Sequence, residues 1–126
     1  MNKKILVIDD EEMLTRTFSR LFRKRGHEVF VANRAAEALE AVRQTDFDLI
    51  LSDVRMPGVN GVDLCRQIRD LRSGEGKKPV PVIFLTGFAD ETIEAEAKQL
   101  NPVAYVYKPC DMTELINLVD VTFQTH

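Results

Sequence analysis

Short apolar runs alternate along this chain with longer stretches in which apolar residues recur every three or four positions. The runs cover residues 4 to 9, 28 to 32, 48 to 53, 80 to 86 and 103 to 107. Several are nearly continuous, such as Ile5, Leu6, Val7, Ile8 and Leu49, Ile50, Leu51, as strands buried on both faces should be. The intervening stretches predict five helices. One over about 12 to 25 stripes Leu14, Phe18, Leu21 and Phe22. A second over about 34 to 44 stripes Ala35, Ala38, Leu39 and Val42, and a third over about 61 to 72 stripes Leu64, Cys65, Ile68 and Leu71. A fourth over about 90 to 100 has only Ile93, Ala97 and Leu100 among four acidic residues, which makes it the least firmly anchored. Strict alternation of five strands and five helices predicts an α/β fold with a parallel sheet covered on both faces.

Local signals set the boundaries. Gly26 stands where a C-terminal cap belongs, and Asn33 suits the N-cap of the second helix. The run from Ser73 to Pro79 predicts a mobile loop. The fifth helix starts at Asp111 with Glu114 three residues on, a capping-box arrangement. Its apolar positions Leu115, Ile116, Leu118, Val119, Val121 and Phe123 exceed one stripe, which fits either extra core contact or a partner surface.

Composition narrows the classes. At 126 residues, 44% hydrophobic and 29% charged, the chain reads as one globular domain. A net charge of −3 lacks the basic footprint of a nucleic-acid-binding domain. Lys3 and Lys4 precede only four apolar residues before Asp9, too few for a signal peptide or a membrane span, so the expected location is the cytoplasm. Cys65 and Cys110 lack metal spacing and read as small buried hydrophobes, and His27 and His126 read as surface residues. Neither G-x-x-x-x-G-K-[ST] nor G-x-G-x-x-G is present.

The chemistry gathers at predicted strand ends, where open parallel sheets bind ligands. Asp9 and Asp10 follow the first strand, Asp53 the third, Thr86 the fourth and Lys108 the fifth. Each alone fits a turn cap, a strand threonine or a solvated lysine; together they form a pattern. Turn residues after Asp53 predict it as exposed and reactive. Adjacent first and third strands would bring three carboxylates and one ammonium together, an excess of negative charge that implies a cation. Oxygen ligands without His or Cys select a hard ion, and Mg²⁺ fits better than zinc. With such an ion in place, Asp53 becomes the candidate nucleophile for an aspartyl phosphate, with Lys108 and the Thr86 hydroxyl available to the equatorial oxygens.

These residues in this order resemble the receiver domain of two-component response regulators. The resemblance rests on Ile8, Asp9, Asp10, Glu11; on Asp53 with Met56, Pro57, Asn60 and Gly61; on Thr86 with Gly87; and on Lys108 with Pro109. It implies a flavodoxin-like, doubly wound (βα)5 fold with strand order 2-1-3-4-5, as a single receiver over residues 1–126. It further implies that Asp53 accepts a phosphoryl group from a phosphohistidine on a sensor histidine kinase or histidine phosphotransfer protein. Mg²⁺ would be held by Asp9, Asp10, Asp53 and the Arg55 carbonyl. A cis peptide before Pro109 and a switch pairing Thr86 with Tyr105, read out on the face of the fourth helix, fifth strand and fifth helix, are implied as well. Arg55 and Phe88 are bulkier or less polar than expected at positions that the resemblance links to hydrolysis of the acyl phosphate. The Asn101, Pro102, Val103, Ala104 sequence departs from the usual pattern and implies a local turn change.

Two other readings share these features. One is the receiver portion of a larger hybrid kinase or transcriptional regulator. The other is a Mg²⁺-dependent phosphatase with an aspartate nucleophile, although such enzymes carry a second aspartate two positions after the nucleophile of the first strand, where this chain has Glu11.

Overall fold

The computed structural model describes residues 2–125; His126 lies outside the described residues. Five strands, β1 (Lys4–Ile8), β2 (Glu28–Ala32), β3 (Leu49–Asp53), β4 (Val82–Thr86) and β5 (Ala104–Tyr107), alternate with α1 (Glu12–Lys24), α2 (Ala35–Gln44), α3 (Gly61–Gly74), α4 (Glu91–Lys98) and α5 (Met112–Thr125). The strands form one all-parallel sheet in the order 2-1-3-4-5, the doubly wound arrangement expected. A separate two-residue antiparallel ladder, Arg55–Met56 with Val59–Asn60, escaped the sequence reading because it is shorter than any periodicity reveals. Its turn has Pro57 and Gly58 at the centre, with Gly58 at φ +75°, where glycine carries no steric penalty.

Period-two alternation divides the core in two. Ile5, Val7, Leu49, Leu51, Ile83 and Leu85 face α1 and α5, meeting Phe18, Phe22, Leu115 and Val119. Leu6, Ile8, Ile50 and Phe84 face α2, α3 and α4, meeting Val42, Leu64, Ile68 and Ala97. Each fully buried aliphatic or aromatic side chain contributes roughly 1.5–3 kcal/mol. β3 and β4 are buried at every residue, so the sheet is a rigid frame for whatever stands at its ends.

Several local expectations need correction. Asn33 is not the N-cap of α2: that position is Arg34, without a side-chain cap, and Asn33 instead donates its Nδ2 to the Asp9 carbonyl at 2.8 Å. β4 begins at Val82 rather than at residue 80, because Pro81 has no N–H for a ladder. α4 stops at Lys98, short of the expected residue 100. The segment read as a loop from residue 73 is helical through Gly74, and buried Arg72 ties its remainder down, donating to the Lys78 carbonyl at 3.1 Å and to Asp46 at 3.0 Å. His27 is half-buried rather than on the surface, its ring edge-on to Phe123 at 5.1 Å, and burial lowers its pKa. Other signals acted as read. Gly26 ends α1 at φ +90°, and Asp111 Oδ1 accepts the Thr113 N–H at 2.7 Å.

Gly61 opens α3 where the helix turns back over the end of β3. Its N–H donates to the Val54 carbonyl at 2.6 Å, and a Cβ there would lie 1.9 Å from the Asp53 carbonyl oxygen. No side-chain rotation relieves a clash with backbone. Gly61→Ala should therefore cost at least about 1–3 kcal/mol, read as a clear fall in melting temperature; an unchanged melt would contradict this close approach.

Candidate functional site

Register decides which strand ends meet. Ile8 pairs with Ser52, so the next residues, Asp9 and Asp53, stand level on neighbouring strands. Asp53 pairs with Leu85, placing Thr86 one step beyond, and Thr86 pairs with Tyr107, placing Lys108 a further step out. The Lys108 N–H donates to the Thr86 carbonyl at 2.7 Å, and the Lys108–Pro109 peptide is cis. The Lys108 side chain reaches back across the edge. Its Nζ lies 2.9 Å from Asp9 Oδ2, 3.5 Å from Asp53 Oδ2 and 3.4 Å from Glu11 Oε1.

Asp53 is not exposed, as its turn-rich surroundings suggested: it is only 5% accessible, because α3 and the short ladder fold over it. Asp9 is buried as well, whereas Asp10 is exposed. One carboxylate oxygen from each of the three lies within 4.8 Å of the others. Burial, then the charge of Asp9, raises the Asp53 carboxyl from 3.8 to about 6; Lys108 and a long hydrogen bond from the Arg55 N–H at 3.4 Å pull in the opposite direction. Burial by itself lowers the Lys108 ammonium, but its hydrogen bond to Asp9 and the charges of Asp9, Asp53 and Glu11 hold it above the ordinary lysine value.

Around the carboxylates is a cleft of about 200 Å³ lined by Asp10, Glu11, Asp53, Arg55, Phe88 and Lys108. The Arg55 guanidinium stacks over the Phe88 ring, 4.2 Å from its centroid. Thr86 is buried beside the cleft, and its hydroxyl engages the Phe88 backbone, accepting the N–H at 3.1 Å, rather than the carboxylates. Tyr105 lies farther out on β5 against Phe84 and Tyr107, and its buried hydroxyl has no hydrogen-bond partner among the described residues. Asp10, Asp53, Arg55 and Lys108 thus share one cleft, Asp9 is buried against it beside Lys108 and the other two carboxylates, Thr86 adjoins it, and Tyr105 is set apart. Glu11 and the Arg55–Phe88 stack are additions. The run of four acids from Asp9 to Glu12 signalled the first, whereas the stack joins residues on different loops and has no sequence signature.

The donor set suits a hard divalent ion. Three carboxylate oxygens, two of them on buried side chains and one facing the open cleft, stand close enough to hold such an ion, and with no His or Cys among them their chemistry fits Mg²⁺. Cys65 is no competitor, since burial pushes its thiol up to about 12.

A family description, the response regulator receiver domain, matches residues 5–120, and the chain belongs to that family. It is 34% identical over 97% of its length to the sensory/regulatory protein RpfC of Xanthomonas campestris pv. campestris, of which it spans 17%. It is 28% identical to the sporulation initiation phosphotransferase F of Bacillus subtilis, covering 94% of this chain and 92% of that one. Among solved structures, a response regulator of Burkholderia pseudomallei with a phosphorylated aspartic acid, calcium ion and citrate superposes with a TM-score of 0.79 at 26% identity, covering 97% of this chain and 72% of that one.

Without metal, the raised Asp53 carboxyl makes stability depend on pH. A group raised on folding contributes stability below its unfolded value near 3.8, and that contribution is lost as pH rises through about 6. Metal-free Asp53→Asn should therefore gain on the order of 2 kcal/mol relative to the parent between pH 4 and pH 7.5. Paired thermal melts in EDTA at those two pH values check it, and a parallel pH response in both proteins would count against the assignment.

Proposed function

We propose that this receiver carries a phosphoryl group on Asp53 within a two-component phosphorelay. The observation that supports it most is the meeting of Asp9, Asp10, Asp53 and Lys108 at one edge of the sheet. The donor is a phosphohistidine on a sensor histidine kinase or histidine phosphotransfer protein. An Asp53 oxygen attacks phosphorus, the P–N bond breaks, and the imidazole leaves with its electron pair and takes up a proton. Asp53 needs no general base, because a carboxyl near 6 is ionised at neutral pH.

Asp9, Asp10, Asp53 and the Arg55 carbonyl would hold Mg²⁺, which when bound neutralises charge on the transferring phosphoryl oxygens. Asn33 fixes the Asp9 backbone through its 2.8 Å hydrogen bond, so the metal-side carboxylate is positioned from two directions. Lys108 supplies a second cation to the phosphoryl group. The Thr86 hydroxyl, now on the Phe88 backbone, would turn to a phosphoryl oxygen. Tyr105 would follow it and reshape the α4-β5-α5 face. This switch is a population shift, so its size equals the extra affinity of the phosphoryl group for the active arrangement.

The module acts stoichiometrically as a phosphoacceptor and works in the cytoplasm; no described helix is long and apolar enough to cross a membrane. The chain spans 17% of one sensory/regulatory relative and 92% of the sporulation phosphotransferase, and a second reading makes it the receiver portion of a longer hybrid kinase or regulator. The chemistry is the same in either.

Asp53→Asn should abolish Mg²⁺-dependent labelling by acetyl phosphate or phosphoramidate with the circular dichroism spectrum retained; labelling that persists would refute the assignment. The Arg55–Phe88 stack covers one side of the cleft and would screen the aspartyl phosphate from attacking water. A stack of this kind is worth about 0.5–1 kcal/mol. Phe88→Ala should accordingly speed dephosphorylation roughly two- to fivefold, measured by loss of label, whereas an unchanged or slower rate rules out screening.

A further inference from the structure

β2 is an edge strand. The Glu28 N–H donates to the Lys3 carbonyl and the Asp9 N–H to the Ala32 carbonyl, so residues 28, 30 and 32 turn their backbone polar groups toward β1. The parallel pattern then turns those of Val29 and Val31 outward. Out there the Val29 carbonyl accepts a hydrogen bond from the Arg23 guanidinium at 2.9 Å.

Beside this edge runs a groove of about 850 Å³ between α1 and β2, with Arg16, Arg20, Arg23 and Lys24 on its wall against the single acid Glu12. Arg16 pairs with Glu12 at 3.5 Å, and neither Arg20 nor Lys24 has an acidic side chain within ion-pair distance among the described residues. The helix dipole accounts for cations in the last turn of α1 but not for Arg16 and Arg20. A positive wall on a chain of net charge −3 suits an anionic partner.

The two faces of the edge favour different side chains. Val29 packs beneath α1 with Phe18 and Phe22, whereas Phe30 lies on the opposite face against Phe47 and is 37% exposed. Arg16, Arg20 and Lys24 follow one another at about 6 Å along the helix axis. Alternate residues of an extended chain are separated by about 6.6 Å. We infer that the β2 edge accepts an extended segment of a partner protein in which acidic and apolar residues alternate. Its backbone adds to Val29 and Val31, its carboxylates reach the α1 cations, and its apolar side chains cover Phe30. Arg23 exchanges the Val29 carbonyl for a carboxylate as a peptide N–H takes its place, so no polar group is stranded.

Fluorescence anisotropy of the full chain with a labelled octapeptide of alternating Val and Glu tests this. Saturable binding is expected, weakened roughly tenfold in the Arg20→Glu, Lys24→Glu double variant. Binding should be lost in Val31→Pro, which removes an outward N–H without touching the β1 pairing. An octapeptide N-methylated at every residue, with no N–H left on either edge and so unable to add as a strand, should also fail, which keeps the test valid if Val31→Pro does not fold. Absence of saturation overturns the proposal, as does full binding of the N-methylated peptide, equal binding of a Val–Lys octapeptide, or displacement of the peptide by duplex DNA.

Discussion

The Lys108 ammonium between Asp9 and Asp53 is the contact on which the site depends, at 2.9 Å from one carboxylate and 3.5 Å from the other. Two buried acids on neighbouring parallel strands repel each other and lose hydration, and both effects show in the raised Asp53 carboxyl. One lysine compensates only part of that cost. The edge therefore holds a standing demand for positive charge, and on its open side, at Asp10, it would offer oxygen ligands to a divalent cation.

Much of the fold serves to hold that arrangement still. β3 and β4 are buried along their whole length, and Gly61 lets α3 close over Asp53 at a distance no other residue permits. The Asn60 side chain caps the same helix by accepting the Val62 N–H at 2.7 Å. Rigidity at Asp53 suits the proposed phosphoryl transfer, which asks for positioning and charge neutralisation.

The opposite is true one strand away. α4 has eight residues and buries only Ala97 fully. It is tied to the frame by the hydrogen bond from Arg69 to the Leu100 carbonyl at 2.6 Å just past its end and by the Tyr107 hydroxyl on Glu94. Beneath it the Tyr105 hydroxyl is buried without a partner among the described residues, an arrangement with an intrinsic cost. A weakly anchored helix over an unsatisfied tyrosine is the element of this molecule with the least to lose by shifting, in contrast to the sheet edge it adjoins.

The sequence by itself determined the alternation of elements, the division of each strand between two faces and the identity of Asp9, Asp10, Asp53, Thr86 and Lys108, because these are written in periodicity and in polar residues ending apolar runs. The Asn33 side chain, read as a helix cap, shows the limit: a cap and a tether to Asp9 use the same amide, and only spatial proximity selects between them. The burial of Asp53, the stacking of Arg55 on Phe88 and the three-way reach of Lys108 were decided by tertiary structure. Each joins residues from separate loops, and it is strand register, with its pairing of Ile8 with Ser52 and Thr86 with Tyr107, that turns distance along the chain into distance in space.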